Sequence, residues 1–385
     1  TYKVKLDRSE IIFKEKLEEI SLANFGHGGN VKEMGRNYNM DWKRIIDFSA
    51  NINPLGMPKS VKDSIKKNLE EIEKYPDLSY YELKEAVSEY ENKKLDRADI
   101  ISRDNLILGN GAAEVIYSVV RAINPEKTMI LAPTFSEYEE AVLSISKEIV
   151  IYNLKEDDDF ALTDSILKEI NDDINMIFIC NPNNPTGSIV SKELLIKILN
   201  HSKLTNTFVV VDESFLDFID DDFSIIPCIE EYKNLIVIKS LTKFFALPGL
   251  RIGYGLSSNK KLCEKIAKMF PAWNINILAD ISARACLKDE KYIAETIDFM
   301  EKERIYLYNE LKKVNYLKVY EPSVNFIFFK INKSMDMKKE LLKRNILIRS
   351  CSNYRGLDER YFRIAVKGHE ENINIINALN SIINL

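Results

Sequence analysis

The sequence predicts an α/β protein: a large domain on a mostly parallel sheet, followed by a smaller α+β C-terminal domain. Three observations carry this expectation. Short apolar runs alternate with amphipathic helical stretches, the rhythm of strand, crossover helix and parallel strand. The ends of those runs carry polar residues of distinct chemistry, where ligands bind in open α/β sheets. The segment 281–385 then changes character. A chain of 385 residues is long enough for two such domains.

The strands come first in order. "NLILGN" (105–110), "TMILAP" (128–133), "INMIFIC" (174–180), "TFVVVDE" (207–213) and "NLIVIKS" (234–240) are Ile- and Val-rich and end in polar or turn-forming residues. Between them "AAEVIYSVVRAI" and "SKELLIKILNHSKL" are apolar at helical spacing. Beyond residue 281, "KYIAETIDFMEKERIYLYNELKKV" is a long amphipathic helix. Strands at "NFIFFKI", "ILIRS" and "YFRIAV" and a closing helix at "NINIINALNSIIN" follow. The division is an N-terminal arm over 1–48, a large domain over 49–280 and a small one over 281–385. No repeat or Ser/Gly linker separates them, so they are expected to pack closely.

Composition narrows the function classes. Hydrophobic residues make up 45% and charged residues 29%, the balance of a globular protein. With a net charge of −5 and a pI near 5.6, no global basic field recruits nucleic acid or a membrane surface. Cys180, Cys228, Cys263, Cys286 and Cys351 are odd in number and widely spaced, which suits a reduced, cytoplasmic protein. The charged start lacks a signal peptide's apolar core, and no stretch approaches the roughly 20 apolar residues of a membrane span. His201 and His369 are isolated, and without a His/Cys cluster no metal site is expected.

The strand ends hold "GNGAAE" (109–114), "APTF" (132–135), "NPNNPTG" (181–187), "DES" (212–214) and "SLTK" (240–243). Taken singly, most admit a plainer reading. The glycine turn is not the GxGxxG dinucleotide fingerprint, Phe135 suits a core, Asp212 suits a helix cap and Lys243 a solvated surface. Their shared position at strand ends argues for one cleft.

"NPNNPTG", "VVVDES" and "SLTKFFALPGLRIGY", in that order and spacing, resemble the pyridoxal-phosphate enzymes of the aspartate aminotransferase fold (fold type I, aminotransferase classes I and II). The resemblance extends to "HGGN" (27–30), "IDFSANINPLGMP" (46–58), "YPDLSYYEL" (75–83) and "ILIRSCSNYRGLDERYFRIAV" (346–366), nearly the whole chain. Those extra segments look most like the threonine-phosphate decarboxylases of cobalamin biosynthesis, with the histidinol-phosphate aminotransferases close beside them.

The resemblance implies pyridoxal 5'-phosphate as cofactor and Lys243 as its Schiff-base lysine, which must be desolvated and deprotonated. It implies Asp212 as the partner of the cofactor's ring nitrogen, Asn184 on its ring hydroxyl and Phe135 stacked on its face. Gly111, Ala112 and Ala113 at a helix start, with Ser240 and Arg251, would take the phosphate. Tyr75 resembles the tyrosine that family homodimers donate to the neighbour's cofactor phosphate.

For the substrate, Arg363 matches the arginine that grips an anionic end, and Arg349 sits where a second arginine helps bind a phosphate. His27, Gly28, Gly29 and Asn30 suit a lid over the ligand or, equally, a plain flexible arm. Asn53 is a further expected contact; Tyr354 and Arg355 lie near Arg349 in sequence, and spacing alone does not decide their role. Phe215 stands where many relatives have a tyrosine, a departure that favours the decarboxylase. "GNGAAE" lacks the Ser or Thr that often contacts phosphate, which leaves more to backbone amides.

The resemblance implies decarboxylation of L-threonine O-3-phosphate to 1-amino-2-propanol O-2-phosphate. The alternative is transamination of histidinol phosphate with 2-oxoglutarate. A non-catalytic cofactor-binding regulator is a remote third reading, opposed by the intact lysine, aspartate and arginine set.

Overall fold

The computed structural model describes residues 28–97, 99–219 and 221–382. Strands β1 (Ile46–Asp47), β2 (Leu106–Gly109), β3 (Lys127–Ala132), β4 (Glu148–Asn153), β5 (Met176–Cys180), β6 (Phe208–Asp212), β7 (Leu235–Ser240) and β8 (Gly253–Leu256) come first in the chain. They are followed by β9 (Leu317–Val319), β10 (Phe326–Ile331), β11 (Ile346–Leu347), β12 (Arg349–Ser350) and β13 (Tyr361–Ala365).

The central sheet has the order β2-β8-β7-β6-β5-β3-β4. Its strands run parallel except β8, which is antiparallel to both β7 and β2. This is the mixed, mostly parallel sheet of an α/β protein. Alternation along the strands feeds two cores: Val209, Val211 and Val237 face one side, Val210, Ile236 and Ile238 the other.

β8 escapes a pattern search because "GYGL" reads as a turn. Its glycines are there for space. A Cβ on Gly253 would lie 2.5 Å from the backbone nitrogen of Ala112, where the helix Ala112–Ile123 crosses the sheet.

A second sheet, β12-β13-β10-β9, is antiparallel throughout. "ILIRS" is expected as one strand and is two: Ile346 and Leu347 pair with β1, Arg349 and Ser350 with β13. The chain changes sheets at the buried Ile348. One contiguous core runs from Val237 beneath the central sheet to Phe326 and Ile364 in the second. Among the described residues no helix is long and apolar enough to cross a membrane.

Candidate active site

The carboxyl ends of β2, β3, β5, β6 and β7 bring the polar residues together, because their side chains have nowhere else to go at the edge of a buried sheet. Asp212, last in β6, is buried. Its Oδ1 accepts the backbone N–H of Ser214 at 2.9 Å, and its Oδ2 accepts the hydroxyl of Tyr138 at 2.7 Å. Tyr138 is itself fully buried and stacked on Phe178, with ring centroids 4.7 Å apart. Burial, with the Asp212 charge added, pushes its phenol far above the usual range, so it stays a donor to Asp212. Tyr138 lies in a helical stretch, where an aromatic reads as core; no sequence signal separates it from one.

Ser240, last in β7, caps the one-turn helix Leu241–Phe244, its Oγ accepting from the backbone of Thr242 at 3.4 Å. Lys243 donates to the same Oγ at 3.2 Å. Its ammonium stands 5.8 Å above the Phe215 ring. Burial lowers the Lys243 amine from 10.5 to about 8, Arg251 and Arg363 push the same way, and Asp212 opposes. An amine held there is near the point of deprotonation at neutral pH, as a nucleophile or base requires.

Beside the lysine is a cradle. The helix Ala112–Ile123 starts at Gly111 without a side-chain cap. Gly111 has φ 85° and ψ 161°, a region essentially reserved for glycine. A Cβ there would lie 2.7 Å from Nη2 of Arg251. The absent side chain therefore leaves room for an exposed guanidinium at an uncapped helix start, where Ala112 and Ala113 follow, a combination that suits an anion by charge and dipole.

The second sheet carries the two arginines expected at the substrate. Arg363 is 6% exposed, and burial lowers its guanidinium's affinity for the proton. It donates to Asn184 Oδ1 and to the carbonyl of Ser49 at 3.0 Å, and with the Asn51 amide turned to present its oxygen it also donates there at 3.1 and 3.2 Å. Its Cζ lies 5.3 Å over the Phe326 ring, which meets Phe215 edge-on at 5.1 Å. Arg349 is the cross-strand partner of Arg363 in the β12–β13 pair. It donates to Asn353 Oδ1 at 2.9 Å and stacks on Tyr354 at 5.3 Å. Like charges placed directly opposite each other disfavour pairing, and the Arg349 charge adds to burial in lowering the Arg363 guanidinium's pKa.

Other expected residues fall as follows. Asn184 is buried at the turn after β5, and its Oδ1 also accepts from the Tyr354 hydroxyl at 3.3 Å. Phe135 is half-buried and meets Tyr138 edge-on at 5.6 Å. Gly28 lies tight against Ser49, whose carbonyl oxygen would be 2.1 Å from its Cβ, and Gly29 donates to Ser49 Oγ at 2.9 Å. That places the glycine pair one residue from Arg363. His27 lies outside the described residues. Tyr75 is 79% exposed and packs on Trp273, ring centroids 4.6 Å apart. Arg355 ion-pairs with Glu139. His201 meets the Ile170 carbonyl and His369 meets Glu303.

The expectation that Asn53 touches substrate is corrected. Asn53 is 2% exposed, and its amide donates to the Phe244 carbonyl at 2.8 Å and to the Tyr292 and Thr296 hydroxyls at 2.9 Å. Its backbone N–H donates to the Lys243 carbonyl at 3.1 Å. It braces the lysine's turn from behind. The asparagine that meets the Arg363 guanidinium is Asn51, two residues earlier in the same motif.

The family model described as aminotransferase class I and II matches residues 43–379. The threonine-phosphate decarboxylase of Salmonella typhimurium is 35% identical, over 94% of this chain and 98% of that protein. The crystal structure of the histidinol-phosphate aminotransferase from Clostridium acetobutylicum superposes with a TM-score of 0.81 at 34% identity, over 88% of this chain and 98% of that one. The L-threonine-O-3-phosphate decarboxylase from Porphyromonas gingivalis gives a TM-score of 0.77 at 25% identity, over 88% and 99% of the two chains. With a lysine near its deprotonation point beside an anion cradle, and with this match, the chain belongs to the class I and II aminotransferase family.

Proposed function

We propose that this protein is a pyridoxal-phosphate enzyme that decarboxylates L-threonine O-3-phosphate to 1-amino-2-propanol O-2-phosphate. The observation that carries the substrate class is the Arg349–Arg363 cross-strand pair, two guanidiniums in register on one wall. A phosphorylated amino acid brings the two anionic groups that such a wall can share out.

The residues fit the cofactor. Ala112, Ala113, Ser240 and Arg251 would hold its phosphate, in the space the missing Gly111 side chain leaves. Asp212, oriented by the Tyr138 donor, would pair with its ring nitrogen. Asn184, whose Oδ1 is spent on Arg363, has its Nδ2 to donate to the ring hydroxyl. Phe135 would cover one face, and Lys243 would carry the covalent link. When bound, pyridoxal phosphate supplies an electron sink for the carbon next to the substrate's amine.

The chain's own groups then decide the outcome. Arg349 and the Gly28–Gly29 segment on Ser49 bind and orient the substrate's phosphate. Arg363, fixed by Asn51, Asn184 and Ser49, holds the rest of the anion so that its carboxylate leaves as CO2. With the cofactor bound, Lys243 would return a proton to the α-carbon in place of the CO2 lost. Phe215 and Phe326 form an apolar floor that keeps water from that carbon. On this reading the protein is a homodimer in which Tyr75, exposed and stacked on Trp273, would reach the second copy's phosphate cradle. The division into an arm, a large domain and a small C-terminal domain is retained on this reading, with the site between the two sheets.

A second reading is transamination of histidinol phosphate, favoured by the likeness to the Clostridium structure. Titration of the cofactor-free protein with pyridoxal phosphate, followed by borohydride reduction and peptide mapping, tests the cofactor assignment: the label belongs on Lys243. A label elsewhere contradicts it. Glutamate formed from 2-oxoglutarate only with an amine donor present would select the second reading.

A further inference from the structure

Behind the site, on the other face of the sheet, lies a buried ionic cluster. Side chains alternate along β6 and β7, so Asp212 and Ser240 face one way while Glu213 and Lys239 face the other. Lys239 is 1% exposed, Glu213 0% and Asp217 4%. Lys239 Nζ donates to Asp217 Oδ1 at 2.8 Å and stands 4.0 Å from Glu213 Oε2. Lys94 reaches the same Asp217 oxygen at 2.8 Å from the rim. Glu213 accepts the Ser224 hydroxyl and the Ile225 N–H, both at 2.9 Å.

Stability does not explain this cluster. Desolvating each ion costs several kcal/mol, and apolar residues of similar volume commonly serve as well or better. Yet its members are chain neighbours of the chemistry: Glu213 follows Asp212, and Lys239 precedes Ser240. Asp217 lies two residues past Phe215, which the Lys243 ammonium faces. The cluster clamps the two strand ends that carry the carboxylate and the lysine.

We propose that Lys239 is a positioning residue. By holding Asp217 and Glu213 across the back of the sheet, it sets the spacing between Asp212 and Lys243. This rests on the reading of Lys243 as the cofactor lysine. The clamp acts without touching cofactor or substrate. Carboxylates nearby hold the Lys239 ammonium above its ordinary value despite burial, and the Lys239 charge holds Asp217 well below the usual carboxylate range, so that pair stays charged at neutral pH, whereas burial lifts Glu213 to about 7.

The test uses the pyridoxal-phosphate-loaded protein and reads the pH midpoint of the lysine-bound cofactor's absorbance together with the thermal midpoint. The double variant Asp217→Leu/Lys239→Leu removes the central ion pair as a unit and leaves Glu213 its bonds from Ser224 and Ile225. It is expected to lower the absorbance midpoint by about 0.5 or more, because a displaced Asp212 no longer supports the protonated form. Lys239→Arg keeps the charge and is expected to keep the midpoint. Lys94→Met, which strips a rim partner from Asp217, is expected to lower the thermal midpoint alone. If the double variant does not fold, Asp217→Asn, which is isosteric, decides, with the same downward shift expected. An absorbance midpoint unchanged in Asp217→Asn or in the folded double variant overturns the proposal. A wild type with no lysine-linked band overturns the cofactor reading instead, and the proposal with it.

Discussion

Gly111→Ala separates the cost of a strained backbone from the loss of an anion site. At φ 85° and ψ 161° the backbone is one that only glycine adopts freely, so alanine there costs about 1–3 kcal/mol of folding stability. The added Cβ also lands 2.7 Å from Arg251 Nη2. Because that atom ends a flexible side chain, the guanidinium swings away rather than the helix. The cradle then lacks one charge-assisted hydrogen bond, about 1.5–3 kcal/mol. At about 1.4 kcal/mol per decade, cofactor affinity falls roughly ten- to hundredfold. Equilibrium titration of the cofactor-free protein, monitored by absorbance, measures the affinity, and a thermal melt without cofactor measures the strain. A lowered melt with unchanged affinity would refute the placing of Arg251 in the phosphate site. Neither quantity changing would refute the glycine argument itself.

Other perturbations follow from the same geometry. Arg349→Gln is expected to raise KM for a phosphorylated substrate about tenfold while leaving cofactor affinity intact, whereas Arg363→Gln, whose guanidinium also holds Asn184, should depress both kcat and cofactor affinity. Steady-state kinetics and cofactor titration distinguish them. The Lys243 amine is depressed to about 8 in the folded state, so between that pH and about 10.5 the unfolded chain binds more protons. The cofactor-free protein should therefore gain up to about 3 kcal/mol of stability across that window, a rise that Lys243→Met abolishes in denaturant titrations at several pH values. Glu156 is the opposite case. Burial raises its pKa, but hydrogen bonds from Lys330 at 2.8 Å, Tyr361 at 2.7 Å and Tyr320 at 2.9 Å outweigh that and hold it at about 2. Its contribution is present above the usual carboxylate range and lost as pH falls through about 2, so Glu156→Gln should cost about 2 kcal/mol at neutral pH and nothing in strong acid.

Much of the site was legible because polar residues closing buried strands have to be used for something. Lys243, Asp212 and Asn184 each end such a run, and their order along the chain matches one family's motifs. What stayed hidden depends on contacts between distant segments. Tyr138 looks like any core aromatic until the fold brings its hydroxyl to Asp212, 74 residues on. Asn51 and Asn53 share one motif and differ only in the distant segments they meet, so sequence alone gives no reason to prefer the one beside Arg363. The opposed arginines are 14 positions apart and read as two unrelated strand ends; only the β12–β13 register pairs them. β8 was obscured by its glycines, which exist to admit the helix start that forms the cradle.

The most direct measurement is release of labelled CO2 from carboxyl-labelled L-threonine O-3-phosphate by the pyridoxal-phosphate-loaded protein, with no keto acid present. Catalytic turnover is expected, abolished by Lys243→Ala and reduced about tenfold or more by Arg349→Gln. Cofactor-loaded wild type that binds the substrate yet releases no CO2, while transferring the amine of histidinol phosphate to 2-oxoglutarate, would contradict the decarboxylase reading.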